Sequence, residues 1–501
     1  MGKSLLFLVT GLTIVTGLVQ VRNADRIADI PTVTTEYFKA QQAKNLSKSL
    51  IDNAVETMKA NNDWTGTIEL TDVVDTLAIM KKSTDGRKLL ALGLIDLEEL
   101  EILEEVNLSN LLEDIQLGSH PLDMNGALTS YTMASENIPE NNSVGTWDEY
   151  KVLLVSKTNY DDIEVTTEVL MQRDSFSKYS YMTQSELSSS GSRIWFMNGD
   201  NIYGPIHTNG EFAMAGDPSF YGLVTSPNDY VEHNTIATDP NFYGGENFNA
   251  PTKSSPSSYE INRIVEAANY DGKRYESDID VLFYTDNDGE GFVDVSYGGV
   301  EQTNTTCSGW GWSRTCTTTT SIIGGTQETI EIADINGVIS TSGKATVVGQ
   351  VHGEVTLHSE EEITILGDLT YSVNPTSDSS SIDLLGLVSE GDVVLDKNAH
   401  KYTGSQDVDI HAAIVALNTS FYVEDYSSGG VKGTINLLGG ITQENRGAVG
   451  TFNSSSGNIV SGYSKNYQYD NRLKGTIPPA FPREAIFSIV YWKEEINKIS
   501  E

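Results

Sequence analysis

Within the segment TDNDGEGFVDV, the oxygen-bearing side chains of Asp286, Asn287, Asp288 and Glu290 crowd together with Gly289 and Gly291. A hard cation such as calcium takes ligands of this kind. An EF-hand loop starting at Asp286 would place Asp288 and Glu290 at its third and fifth positions and Gly291 at its sixth. The twelfth position falls on Tyr297, so the bidentate acid is missing. An Asp-Gly hairpin turn accounts for the same residues without a metal, and both readings stand. Calcium on Asp286, Asp288 and Glu290 is the one cofactor the sequence suggests.

The only cysteines, Cys307 and Cys316, bracket SGWGWSRT within a Thr-rich, strand-like stretch. That arrangement suits a disulfide across a hairpin, which implies an oxidising compartment. A zinc site is the alternative, and it would need more Cys or His at ligand spacing. Trp310 and Trp312 lie inside the loop. On a rigid tip their rings would offer contact area to a glycan or a neighbouring protein; folded back, they would cover the hairpin's own base.

His207 with Asn209 in GPIHTNG, and His352 with His358 in VHGEVTLH, are the histidines whose setting invites acid–base chemistry. Such chemistry needs a positioned partner, and a metal site needs convergent ligands. The chain has no G-x-S-x-G, no H-E-x-x-H and no phosphate-binding glycine loop. These histidines therefore read as polar residues that stabilise turns. A glycosidase-type carboxylate pair cannot be picked out where Asp and Glu number 70. No catalytic residue is assigned, and the chain reads as a non-enzyme.

Those acids face only 32 Lys and Arg, for a formal charge of −38. Phosphate binding requires a basic surface, so the balance argues against nucleic acid as a partner. It is equally the charge of a soluble, self-repelling surface, of life in high salt, or of a surface relieved by divalent cations.

The elements that must carry these residues differ along the chain. After Lys3, residues Ser4 to Val21 are uncharged, and as a helix they would reach roughly 27 Å, enough to cross a hydrocarbon core. Leu5, Leu6, Phe7, Leu8, Val9, Leu12, Ile14, Val15, Leu18 and Val19 form its apolar surface, and Gly11 and Gly17 permit close backbone approach to a neighbouring helix. No small-residue cleavage pattern follows, so the segment is expected to stay on the protein as a membrane anchor or assembly helix. From Glu36 to Ala60, Ala43, Leu46, Leu50, Ala54 and Met58 fall on one face of an amphipathic helix. A second helical zone is expected from about Asp72 to Ile115, around LIDLEELEILEEVNLSNLLEDI.

From about Tyr150 short alternating runs take over, separated by Ser, Gly, Asn and Asp, which predicts a mainly β body. Between Glu328 and Gly450 the runs are rich in Val and Ile and end in Gly or Asp turns. No strict period emerges, but the texture suits the stacked rungs of a β-solenoid, with an antiparallel sandwich as the alternative. The expected parts are an apolar helix (1–30), a helical region (31–120), a β domain with the cysteine hairpin (121–325), a solenoid-like domain (326–482) and a tail (483–501).

An apolar helix followed by an Ala-rich amphipathic one resembles the start of type IV pilin-like proteins, in particular PilX-like minor pilins. The runs RIWFMNGDNIYGPIHTNGEFAMAGDPSFYGLVTSP, DLLGLVSEG, GGITQENRGAVGTF, GYSKNYQYDNRL and PPAFP resemble an uncharacterised bacterial envelope family with pilin-like N-termini and a solenoidal body. The resemblance implies a structural subunit at the cell envelope or outer surface, associating with itself or with other pilin-like subunits. A membrane-anchored adhesin is the alternative. The chain departs from pilins at one informative place: Gly2 can stand for the cleavage-site glycine, yet the fifth residue after it is Phe7 rather than Glu, and no acid precedes Asp25.

Overall fold

The computed structural model describes residues 34–52, 55, 77–80, 102–107, 124–133, 151–160, 162–308, 315–323, 325–401, 403, 406–453 and 458–498. The chain is mainly β and divides into two units: one ends at Arg173 and regains Ile486–Glu501, and the other is essentially Asp174–Ala485. This division corrects the boundaries expected at 120 and 325. One sheet holds strands from both sides of residue 325, because Gly291–Tyr297 pairs antiparallel with Thr326–Glu331.

In the first unit, residues 34–52 form a helix. Ala43, Leu46 and Leu50 are buried, as their spacing predicts, together with Ile51 and Val55; Ala54 and Met58 lie outside the described residues. The unit also holds a six-stranded sheet in the order Leu77–Met80, Ile102–Asn107, Met124–Met133, Lys151–Tyr160, Ile163–Ser175, Arg483–Lys498. Its first five strands pair antiparallel. Two expectations change here. Leu77–Met80 and Ile102–Asn107 are strands, not parts of a helical zone: their Leu and Glu residues favour helix in isolation, but pairing across the meander decides the outcome. The expected tail is a sixteen-residue strand, adjoining Ile163–Ser175.

The second unit is built on parallel ladders. One column of buried side chains runs in register from Ile339 through Leu357, Leu387, Ile414, Ile441, Tyr181 and Ile206 to Val224. A second runs Ile279, Ala345, Ile363, Val393, Phe421. A third runs Leu369, Ile410, Leu437, Tyr467, Ile202, Phe220, Phe242. All three belong to one core, with Phe242 partly exposed at its margin. Each Val, Ile, Leu or Phe sits above its counterpart in the next rung, so every rung shields its neighbour's apolar face.

Rung order is not chain order. The chain begins at Tyr181 in the middle of the first column, proceeds outward to Val224, and resumes at the opposite end, where Lys273–Tyr275 pairs with Val338–Thr341. The helix Ser258–Tyr270 makes that transit. Ser257 caps it, its Oγ accepting from Glu260 N, and Ile261, Ile264, Ala267 and Ala268 are buried. Ser255 Oγ donates to Glu444 Oε2 just before the helix starts, beside the Ile441 rung. Lys273 pairs with Ile339 just after it ends. Thirteen residues span about 20 Å at about 1.5 Å each, which matches the rungs of Ile414, Leu387, Leu357 and Ile339 at about 4.8 Å apiece. The unit's two ends meet: Phe176 N donates to Pro482 O at 3.1 Å, and Ser175 Oγ donates to the same oxygen at 3.3 Å.

Candidate functional site

A cleft of about 910 Å³ opens in the second unit. Three of the runs that carry the family resemblance supply its walls: Arg193–Trp195 and Met197–Asp200 from RIWFMNGD, Arg446–Phe452 from NRGAVGTF and Tyr463–Lys465 from GYSK. They are far apart in sequence and are brought together because Asn201–Ile202 pairs with the strand Ile459–Gln468, which in turn pairs with Val431–Asn445.

Two ion pairs stiffen the walls. Arg446 Nη1 donates to Glu186 Oε2 at 2.8 Å, with both side chains 2 % exposed, and to Ile194 O at 3.0 Å. The guanidinium carbon lies 3.7 Å from the centre of the Phe196 ring. Nη2 of the same group has no hydrogen-bond partner. Lys465 Nζ lies 2.9 Å from Asp200 Oδ2, which also accepts from Met197 N. Burial lowers the Lys465 pKa against the opposing pull of Asp200. Burial alone would also lower Arg446, but Tyr181, Glu186 and Asp200 hold it raised. Asp392 accepts from Ser420 N and the Thr419 hydroxyl, and burial raises its pKa. Around these groups stand the half-buried rings of Trp195, Tyr422, Tyr426 and Phe452. The walls thus combine compensated charge, hydroxyls and aromatic faces.

The residues singled out in the sequence lie elsewhere or apart. Asp286, Asp288 and Glu290 sit on the turn between Ile279–Thr285 and Gly291–Tyr297. Asp286 Oδ1 accepts from the backbone N–H of both Asp288 and Glu290 at 2.9 Å, so this oxygen is engaged within its own turn. Among the described residues no group of three or more His, Cys, Asp or Glu is placed to hold a metal ion. Cys307 and Cys316 stand directly opposite each other on the antiparallel strands Val300–Ser308 and Thr315–Ile323. Trp310 and Trp312 lie outside the described residues, as do Leu5, Leu6, Phe7, Leu8, Val9, Gly11, Leu12, Ile14, Val15, Gly17, Leu18 and Val19 of the apolar segment. Among the described residues no helix is long and apolar enough to cross a membrane.

The histidines are built into the ladders separately. His207 is buried, with Nδ1 2.9 Å from Thr225 Oγ1 and Nε2 3.0 Å from Asn209 Oδ1, and burial lowers its pKa. His352 Nδ1 lies 2.8 Å from Asp383 Oδ1; the Asp383 carboxylate also accepts from Gly353 N and Val373 N. His358 Nδ1 meets Ser340 Oγ at 2.8 Å, and its Nε2 lies 3.5 Å from Glu390. This order of groups resembles a hydrolase triad, but Ser340 and His358 are both fully buried, and Ser340 Oγ already accepts from Arg274 Nη1 at 2.7 Å. A nucleophile must reach a carbonyl, and this oxygen is enclosed.

Sequence reading missed the cleft because its walls come from separate rungs. The signal was nevertheless present: the runs noted for their resemblance are the ones that converge. A family model described as a domain of unknown function (DUF4900) matches residues 155–228. No curated protein matches the chain. A solved structure of the competence-associated pilin ComZ from Thermus thermophilus aligns over 92% of this chain and 97% of that one, at 10% identity and a TM-score of 0.32. A likeness so loose transfers neither fold nor role.

Proposed function

We propose that the chain is a non-enzymatic, pilin-like structural subunit of a bacterial cell envelope, with Ser4–Val21 as its anchor or assembly helix and the β units as its extracytoplasmic part. The observation that carries this reading is the seat of the helix at 34–52. Ser47 Oγ donates to Thr167 Oγ1 at 2.6 Å, Thr158 Oγ1 donates to Ala43 O at 2.8 Å, and Ala43 packs on Ile163 and Val165. A helix that begins shortly after the apolar segment is therefore fixed to a sheet by buried contacts, so whatever holds the apolar segment also holds that unit. Parallel, in-register columns support the β-solenoid reading of the other unit over a sandwich, whose strands are antiparallel. Opposed residues on antiparallel strands approach within the range a disulfide spans, which supports a Cys307–Cys316 bridge.

The test is removal of residues 1–30, leaving the helix at 34–52 in place. The truncated chain is expected to leave the membrane fraction and sediment as a monomer with an unchanged thermal transition. Sedimentation with membranes, or self-association like that of the intact chain, would show that the segment is not the anchor.

A further inference from the structure

We propose that the cleft bounded by Trp195, Tyr422, Arg446 and Phe452 binds a neutral oligosaccharide of all-equatorial pyranose rings. None of its lining residues belongs to Ser4–Val21, so the site stands or falls independently of the structural role.

Three observations select the ligand class. First, four half-buried aromatic rings line the cleft, Trp195, Tyr422, Tyr426 and Phe452. Rings held part-exposed in a concave wall suit the flat C–H faces of an all-equatorial sugar, which are apolar although the rim of the same sugar is covered in hydroxyls. Second, polar side chains among the lining can meet such a rim: Ser188, Ser190, Asn198 and Asn458. Third, the cations are already matched. Arg446 is paired with Glu186 and Lys465 with Asp200, and Arg193 lies 3.5 Å from Glu211. A polyanion would find no surplus of cations there, and it would approach against a chain of formal charge −38. A neutral ligand avoids both penalties. The volume of about 910 Å³ lies at the upper end of small-molecule sites, in keeping with several linked rings.

The experiment is calorimetric titration of the full chain with cellohexaose, chitohexaose and, as a charged comparison, oligogalacturonate. Trp195→Ala and Tyr422→Ala probe the cleft, and the double change Trp310→Ala with Trp312→Ala probes the cysteine loop. Thermal unfolding of each variant confirms that it is folded. Saturable binding of at least one neutral hexaose is expected, weakened tenfold or more by Trp195→Ala and by Tyr422→Ala and unaffected by the loop pair. The proposal is overturned if neither neutral hexaose binds, if oligogalacturonate binds as tightly, or if the loop pair abolishes binding while both cleft variants retain it.

Discussion

Gly222 shows how closely the rungs approach. A Cβ at this position would stand 1.7 Å from the carbonyl oxygen of Gly204 in the adjacent rung. The preceding tyrosines, Tyr203 and Tyr221, stack with their ring centres 4.4 Å apart and 5° between their planes. Gly222→Ala must push two backbones apart and is expected to cost roughly 3 kcal/mol in denaturant unfolding. Gly289 has positive φ but open space around it, so Gly289→Ala should cost only about 1 kcal/mol. Equal losses at the two sites would refute this account of the packing.

Glu484 provides a residue-scale prediction about pH. Burial would raise its pKa, but Lys178, Lys253 and the Tyr179 hydroxyl outweigh that and hold it below the ordinary carboxylate value. Lys178 Nζ and Tyr179 Oη both lie 2.8 Å from Oε1, and Lys253 Nζ lies 3.1 Å from Oε2. A carboxylate depressed in the folded state contributes stability that is fully present above its unfolded pKa of about 4.3 and is lost as pH falls through the folded value. Glu484→Gln should therefore lower stability at pH 7 by about 2–4 kcal/mol and flatten the fall in melting temperature below pH 4.5. A variant whose acid limb matches the parent's would rule out this contribution.

Among the elements, the helix at 34–52 and the transit helix Ser258–Tyr270 were unequally legible. The first announced itself, because Ala43, Leu46 and Leu50 recur at helical spacing and are buried. The second was overlooked in a stretch read as β, although Ile261, Ile264, Ala267 and Ala268 show the same spacing and Ser257 precedes them as a cap. Leu50→Ala is expected to cost about 2–5 kcal/mol in thermal or denaturant unfolding of the first unit. Ser257→Ala should cost about 1 kcal/mol in the second. A neutral Leu50→Ala would mean that the helix is not seated as described. The strands Leu77–Met80 and Ile102–Asn107 were misread for the opposite reason: Leu and Glu favour helix locally, and only a cross-strand partner overrides them.

At the scale of the whole molecule, composition spoke clearly for class and poorly for topology. Alternating runs rich in Val and Ile identified a mainly β chain. The columns themselves were hidden, since successive members such as Ile339, Leu357 and Leu387 are unevenly spaced and the order from Ile441 to Tyr181 runs backward along the chain. The formal charge of −38 makes a further prediction. Self-repulsion among exposed carboxylates is screened within a Debye length of about 8 Å at physiological ionic strength, so the melting temperature should rise between 10 mM and 500 mM sodium chloride. A flat or falling profile would mean that repulsion does not limit stability.

The bond from Phe176 N to Pro482 O has a mechanical consequence. Because both ends of the second unit meet at that seam, tension applied through the two segments that leave it crosses from one to the other there. The rungs beyond hang outside the line of force. Pulling on those two segments loads the clasp directly, and the stacked strands take up load only once it has opened.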